Sequence, residues 1–152
     1  MRAGNEARLA RLLAGSYLKL TGRPLAPEDL AGEDLARWLY EAPFGLLVHD
    51  TSPDPLFVYA NRKAQEIFGY TRDEFTGLPS RLSAGVQDRE SRRLFMDAVR
   101  RDGVVDGYRG PRVRKDGRQF WLEDATVWNV LDTDSSVVGQ AALIRRWSDP
   151  GQ

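Results

Sequence analysis

The residues with chemistry to offer are few and scattered. His49 and Asp50 adjoin at the end of the apolar run "FGLLVHD", Tyr59 stands in the next run, "PLFVYA", and Asp124 and Thr126 interrupt "FWLEDATVWNV". An aspartate beside a histidine or a tyrosine is the pairing that acid–base isomerisation or dehydration needs, provided both reach one substrate. His49-Asp50 is also a fragment of a metal-hydrolase or Ser-His-Asp site. Such metal sites need several histidines and this chain has one; no G-x-S-x-G elbow gives a serine the context of a nucleophile. The chain has no cysteine, which excludes disulfides, zinc ribbons, Fe–S clusters and cysteine nucleophiles. His49 therefore reads as a strand histidine with a satisfied hydrogen bond. The chain reads as a non-enzyme, with no catalytic residue and no metal site.

The elements that must position these groups belong to one domain, since 152 residues suffice for one core and are too few for two ordinary ones. Lys+Arg and Asp+Glu are equal at 22 each, so no overall field draws in nucleic acid or an anionic membrane. Arg89, Arg92, Arg93, Arg100 and Arg101 alternate with Asp88, Glu90, Asp97 and Asp102, the pattern of a solvated helix face. No apolar run approaches the roughly 18 residues of a membrane helix, and no signal peptide opens the chain. These features give the expectation of a cytoplasmic protein.

Two amphipathic helices come first. Leu9, Leu12, Leu13, Tyr17 and Leu20 form one stripe, closed by Thr21-Gly22; Leu35, Trp38, Leu39 and Ala42 form the second, stopped by Pro43. Two apolar strands separated by "TSPD" follow. In "NRKAQEIFGYTRDEF", Asn61 caps a short helix with Ala64, Ile67 and Phe68 on one face, and Gly69 closes it. Thr71 and Glu74 then form a capping box with Tyr70 and Phe75 as its staple. Asp88 is placed to cap a longer helix that turns Leu94, Phe95, Ala98 and Val99 inward. Three strands, Val104 to Arg114, Arg118 to Leu131 and Val137 to Trp147, are joined by the tight-turn segments "KDG" and "DTDSS". The order predicts an α+β fold: a five-stranded antiparallel sheet with helices on one face, preceded by two N-terminal helices.

Along β-strand alternation, Phe120, Leu122, Asp124, Thr126, Trp128 and Val130 share one side, and Trp121, Glu123, Ala125, Val127 and Asn129 the other. Arg112 depends on the turn. A two-residue loop at Asp116-Gly117 pairs it with Trp121 and away from Asp124, whereas a three-residue loop ending at Arg118 pairs it with Leu122 and points it in.

The run "YANRKAQEIFGYTRDEFTG", with Asn61, Gly69, Tyr70, Glu74 and Gly77 at motif positions, resembles a PAS domain, as does "KDGRQFW". More narrowly, "EAPFGLLVHD", "DPLFVYANRKA", "FTGLPSRLSA", "ATVWN" and "GQAA" resemble the MEKHLA domain, a PAS-like family, from about Ala7 to Ile144. The resemblance implies a helical extension over residues 1–42 and a PAS-like domain over 43–148. It also implies that the capped corner walls a small-molecule cavity against the sheet, an interior that many PAS domains fill with their own side chains. Asp124 and Thr126 would face that cavity among Trp128, Phe68 and Phe95, a mostly apolar set with a few directional partners. Gly110-Pro111-Arg112-Val113 matches the family's G-x-R-V/I, which favours Arg112 pointing inward, to pair with Asp124 or clamp a ligand. His49 and Tyr59 complete the candidate ligand-binding set. Covalent flavin photochemistry is excluded by the missing cysteine, and haem is disfavoured because the long helix carries no histidine; the cofactor stays unassigned. "RRWSDPGQ" replaces the "D-I-T" that leads into downstream signalling domains, giving the expectation of a stand-alone module.

The leading reading is a PAS-like sensory or binding module that recognises a small molecule and mediates protein interaction. The alternatives are a ligand-free dimerisation module and a small acid–base enzyme. A homodimer is expected from the apolar stripes of the N-terminal helices and the outward set Trp121, Ala125 and Val127.

Overall fold

The computed structural model describes residues 3–85 and 89–149. Helices α1 (Ala3–Thr21) and α2 (Gly32–Glu41) precede strands β1 (Gly45–His49) and β2 (Phe57–Ala60). The corner helices α3 (Arg62–Phe68) and α4 (Arg72–Phe75) follow, then a 3-10 turn at Ser80–Ser83 and α5 (Arg89–Asp102). Strands β3 (Val104–Val113), β4 (Gln119–Leu131) and β5 (Val137–Ser148) complete a sheet ordered β2-β1-β5-β4-β3, every pair antiparallel. The capping expected of Asp88 lies outside the described residues.

Local chemistry builds the corner as its sequence dictates. Gly69 adopts φ 81° after α3, and Thr71 and Glu74 satisfy each other's backbone N–H groups. The Tyr70 and Phe75 rings meet at 5.1 Å. Asn61 does more than cap. Its Oδ1 accepts from the Ala64 and Leu46 amides at 3.0 and 2.9 Å, and its Nδ2 donates to the Leu39 and Phe44 carbonyls at 3.0 and 2.9 Å. One fully buried side chain thus ties α2, β1 and α3 together.

Both faces of the sheet are covered. On the inner face, α3, α4 and α5 bury Leu47, Phe57, Phe68, Phe75, Phe120, Leu122, Ala125, Val127 and Ile144. On the outer face, α1 and α2 bury Leu13, Tyr17, Leu39, Leu46, Val48, Trp128, Val130 and Leu143. The N-terminal stripes find the partner surface they need on their own chain. On α5, Phe95 and Val99 pack inward four residues apart, but Leu94, about 100° around the helix from Phe95, is 56% exposed.

Candidate functional site

A bulge in β4 divides the expected site between the two faces. Tyr108 pairs with Ala125 and Gly110 with Leu122, so Arg109 stands opposite both Glu123 and Asp124. The extra residue reverses the alternation. Before it, Phe120 and Leu122 face inward; after it, Ala125 and Val127 take the inner face, and Thr126, Trp128 and Val130 take the outer. Thr126 and Trp128 therefore lie under α1 rather than beside Phe68. Ala125 and Val127, expected outside as dimer surface, are buried inside.

Arg112 and Asp124 do not meet. The β3–β4 loop is Lys115-Asp116-Gly117, with the Arg114 amide on the Arg118 carbonyl at 2.9 Å and Gly117 at φ 88°. It starts one residue earlier than either considered loop and pairs Arg112 with Phe120. The Arg112 guanidinium donates to the Pro111 carbonyl at 2.7 Å and lies 5.5 Å from the Tyr108 ring centre. Asp124 is a third exposed and stands 3.6 Å from Arg145. His49 donates from Nδ1 to the Asp50 carbonyl at 2.8 Å, with Phe57 edge-on at 6.5 Å. Asp50 organises the β1–β2 turn, where the Leu56 amide above all, then Ser52, hold its pKa below the usual carboxylate value. Neither aspartate forms the acid–base pair with His49 or Tyr59 that the enzyme alternative requires.

The inner space is occupied by aromatic rings. Phe57–Phe75, Phe75–Phe68 and Phe68–Phe120 meet at 5.0, 5.6 and 5.2 Å, each inclined towards edge-to-face, and Phe95 lies 4.4 Å from Tyr108. The Tyr108 phenol lies across Gly110, 2.2 Å from where a Cβ would stand, so that glycine makes room for the ring.

The outer face carries the polar chemistry. Arg145 donates to the Tyr17 hydroxyl at 3.0 Å and to Thr126 Oγ1 at 2.9 Å; Thr126 donates to Asp106 at 2.5 Å, and Arg23 reaches Asp106 at 2.9 Å. The Asp106 carboxyl is held below its ordinary pKa by the Thr126 hydrogen bond first and by Arg23 next, against some desolvation. Trp128, edge-on to Tyr17 at 4.9 Å, buries its indole N–H with no hydrogen-bond partner among the described residues.

Beside this network, a cavity of about 10 Å³ is lined by Glu6, Ala10, Leu13, Ala36, Leu39, Tyr40 and Tyr59. An open cleft of about 280 Å³ adjoins it, sharing Glu6, Ala36 and Tyr40 and adding Glu33, Arg37 and Arg72. Tyr59 is half-buried, and burial first, then Glu6 and Tyr40, push its phenol well above the ordinary tyrosine pKa. The Tyr40 hydroxyl accepts from Gln65 at 2.9 Å, and Arg72 pairs with Glu6 at 2.5 Å. None of the expected ligand-binding residues lines the cleft itself, and only Tyr59 lines the small cavity that adjoins it. Glu6, Tyr40 and Arg72 were missed, although one signal was legible: Glu6 stands one turn before the buried line Ala10, Leu13, Tyr17 of α1.

A model of the MEKHLA domain matches residues 7–149. The chain belongs to the MEKHLA family. This MEKHLA chain is 31% identical over 105 residues to the bacterioopsin transcriptional activator of Halobacterium salinarum; the match spans 65% of this chain and 15% of that protein. Among solved structures it is similar to an RNA-binding light-oxygen-voltage receptor, at 26% identity and TM-score 0.65 over 82% of this chain and 34% of that one. The PAS domain of a Colwellia psychrerythraea protein matches at 19% and TM-score 0.62, over 72% of this chain and 91% of that one. The LOV domain of the blue-light activated histidine kinase of Erythrobacter litoralis matches at 24% and TM-score 0.58, over 74% and 100%. The MEKHLA fold is thus PAS-like, a five-stranded sheet with corner helices on one face, and here α1 and α2 cover the other. No described helix is long and apolar enough to cross a membrane.

Proposed function

We propose that this MEKHLA chain is a non-catalytic, PAS-like sensory module that recognises a small molecule on the outer side of its sheet, in the cleft between α1, α2 and the α3–α4 corner. The supporting observation is the contrast between the two faces. The inner space, where a PAS ligand would sit, is packed with Phe57, Phe68, Phe75 and Phe120, whereas the outer cleft keeps about 280 Å³ next to a small cavity lined by the half-buried Tyr59. Some of the structural relatives are light-oxygen-voltage proteins, and one study of such a domain concerns a flavin analogue. The residues here do not fit a flavin inside: edge-to-face rings occupy the volume, and the chain has no cysteine for an adduct.

The cleft joins α1 to the corner through Glu6 and Arg72, and α1 is in turn fastened to β4, β5 and the β4–β5 turn by Tyr17–Arg145, Ser16–Leu131, Lys19–Ser135 and Arg8–Asp132. Occupancy of the cleft acts on the helix that shields Trp128. Screening polar small molecules by thermal shift, with Trp128 emission recorded in parallel, tests the reading. A binder whose effect is lost in Tyr59→Phe is expected. A binder that is indifferent to Tyr59 and displaced by Phe68→Ala would instead put the site on the inner face.

Protein interaction is proposed through side chains left in solvent, Leu82 and Leu94 at 47 and 56% exposed. A homodimer that dissociates in Leu94→Lys is the expected sedimentation result; a monomeric parent at high concentration rules it out.

A further inference from the structure

We infer that the ligand of the outer cleft is a small zwitterion, an α-amino acid with an apolar side chain; this rests on the reading that the cleft is the binding site. The rim carries two cations, Arg37 and Arg72, and two anions, Glu6 and Glu33. A simple anion drawn to the arginines shares the cleft with both glutamates, Glu6 standing 2.5 Å from Arg72, well inside a Debye length. A simple cation meets both arginines in the same way. A ligand with both charges is favoured at each end: its carboxylate answers Arg72 and Arg37, and its ammonium answers Glu6 and Glu33. Arg72 and Glu6, 2.5 Å apart and 47 and 33% exposed, form a pair too exposed to hold tightly, so it can open to admit the ligand's charges in place of its own partner.

Size and surface agree with this class. The cleft's 280 Å³ lies just below the usual range for drug-sized pockets, which limits the ligand to the size of a single amino acid. Ala36 and the Tyr40 ring supply apolar wall, and Ala10, Leu13 and Leu39 line the small cavity below. Glu33, Ala36, Arg37 and Tyr40 fall along one side of α2 at three- and four-residue spacing, so one rigid helix supplies both charge signs and the apolar strip between them. Tyr59 adds a phenol for which no protein hydrogen bond exists among the described residues, at the cavity that shares Glu6, Ala36 and Tyr40 with the cleft. At about 10 Å³ that cavity has the size of one water, so the hydroxyl can serve the ligand directly or through a single bridging molecule.

The test uses the full chain, amide NMR and calorimetry with three probes: L-phenylalanine, N-acetyl-L-phenylalanine, which lacks the cation, and 2-phenylethylamine, which lacks the anion. L-phenylalanine should shift the amides of Ala36, Tyr40 and Tyr59 and bind at least tenfold tighter than either analogue. Arg72→Gln should remove most of its advantage over the amine, and Glu6→Gln most of its advantage over the N-acetyl compound. Tyr59→Phe should weaken it about tenfold with an unchanged melting temperature, since that hydroxyl has no protein partner to lose. An analogue that matches L-phenylalanine at these same amides overturns the zwitterion while leaving the cleft as the site. Silence of these amides with all three probes, or shifts confined to the inner face, overturns the cleft and the ligand class with it.

Discussion

Asn61→Ala should destabilise the protein by about 4 kcal/mol, well beyond the loss of a helix cap. A cap alone is worth about 1 kcal/mol, and the bond from the Ala64 amide to Asn61 Oδ1 is that cap. The substitution also strands the Leu46 amide and the Phe44 carbonyl and leaves the Leu39 carbonyl only the Ala42 amide at 3.4 Å, all three being held by the same fully buried side chain. Each partner lost inside the protein costs about 1 kcal/mol or more, and three of them plus the cap give the total. For a urea slope of about 2 kcal/mol/M, the midpoint falls by about 2 M. Urea unfolding followed by tryptophan emission measures this directly. Asn61→Asp separates the two halves of the side chain: it keeps the acceptor and replaces the two donors by a carboxylate facing two carbonyls. Burial and those dipoles raise the folded-state pKa of the new carboxyl, so the variant is less unstable at low pH and loses stability as pH rises through that pKa. A loss near 1 kcal/mol in Asn61→Ala, together with a pH-independent Asn61→Asp, would refute the reasoning and reduce Asn61 to an ordinary cap.

Thr71→Ala should cost about 1 kcal/mol and Gly69→Val more, because a β-branched residue resists the φ of 81° found there; thermal melts of the two variants give the order. Asp124→Ala should change stability by no more than about 1 kcal/mol, since its partner Arg145 lies 3.6 Å away and both side chains are a third exposed; a loss of several kcal/mol would mean a buried ion pair. The depressed pKa of Asp106 contributes stability that is present above its unfolded value, near 4, and is lost as pH falls through the lower folded value. Asp106→Asn should therefore flatten part of the acid limb of the stability profile, and an unchanged limb would show that the Thr126 hydrogen bond does not favour the ionised form.

Sequence by itself determined the elements and their chemistry. Stripes at helical spacing, the capping box at Thr71, the glycine at position 69 and three strands joined by tight turns specify their own local conformations, because each rests on residues within one or two turns of each other. The tertiary structure decided which side of the sheet each β4 residue faces. Whether Glu123 and Asp124 oppose one residue or two is a property of the pairing with Arg109, not of β4, and that one extra residue moved Thr126 and Trp128 away from Phe68 and beneath α1. The same holds for the cleft and the cavity beside it: Glu6, Tyr40, Tyr59 and Arg72 come from four separate elements. Only the packing of α1 and α2 across the outer face brings them to one place, because two amphipathic helices bury their stripes on the nearest apolar surface large enough to take them.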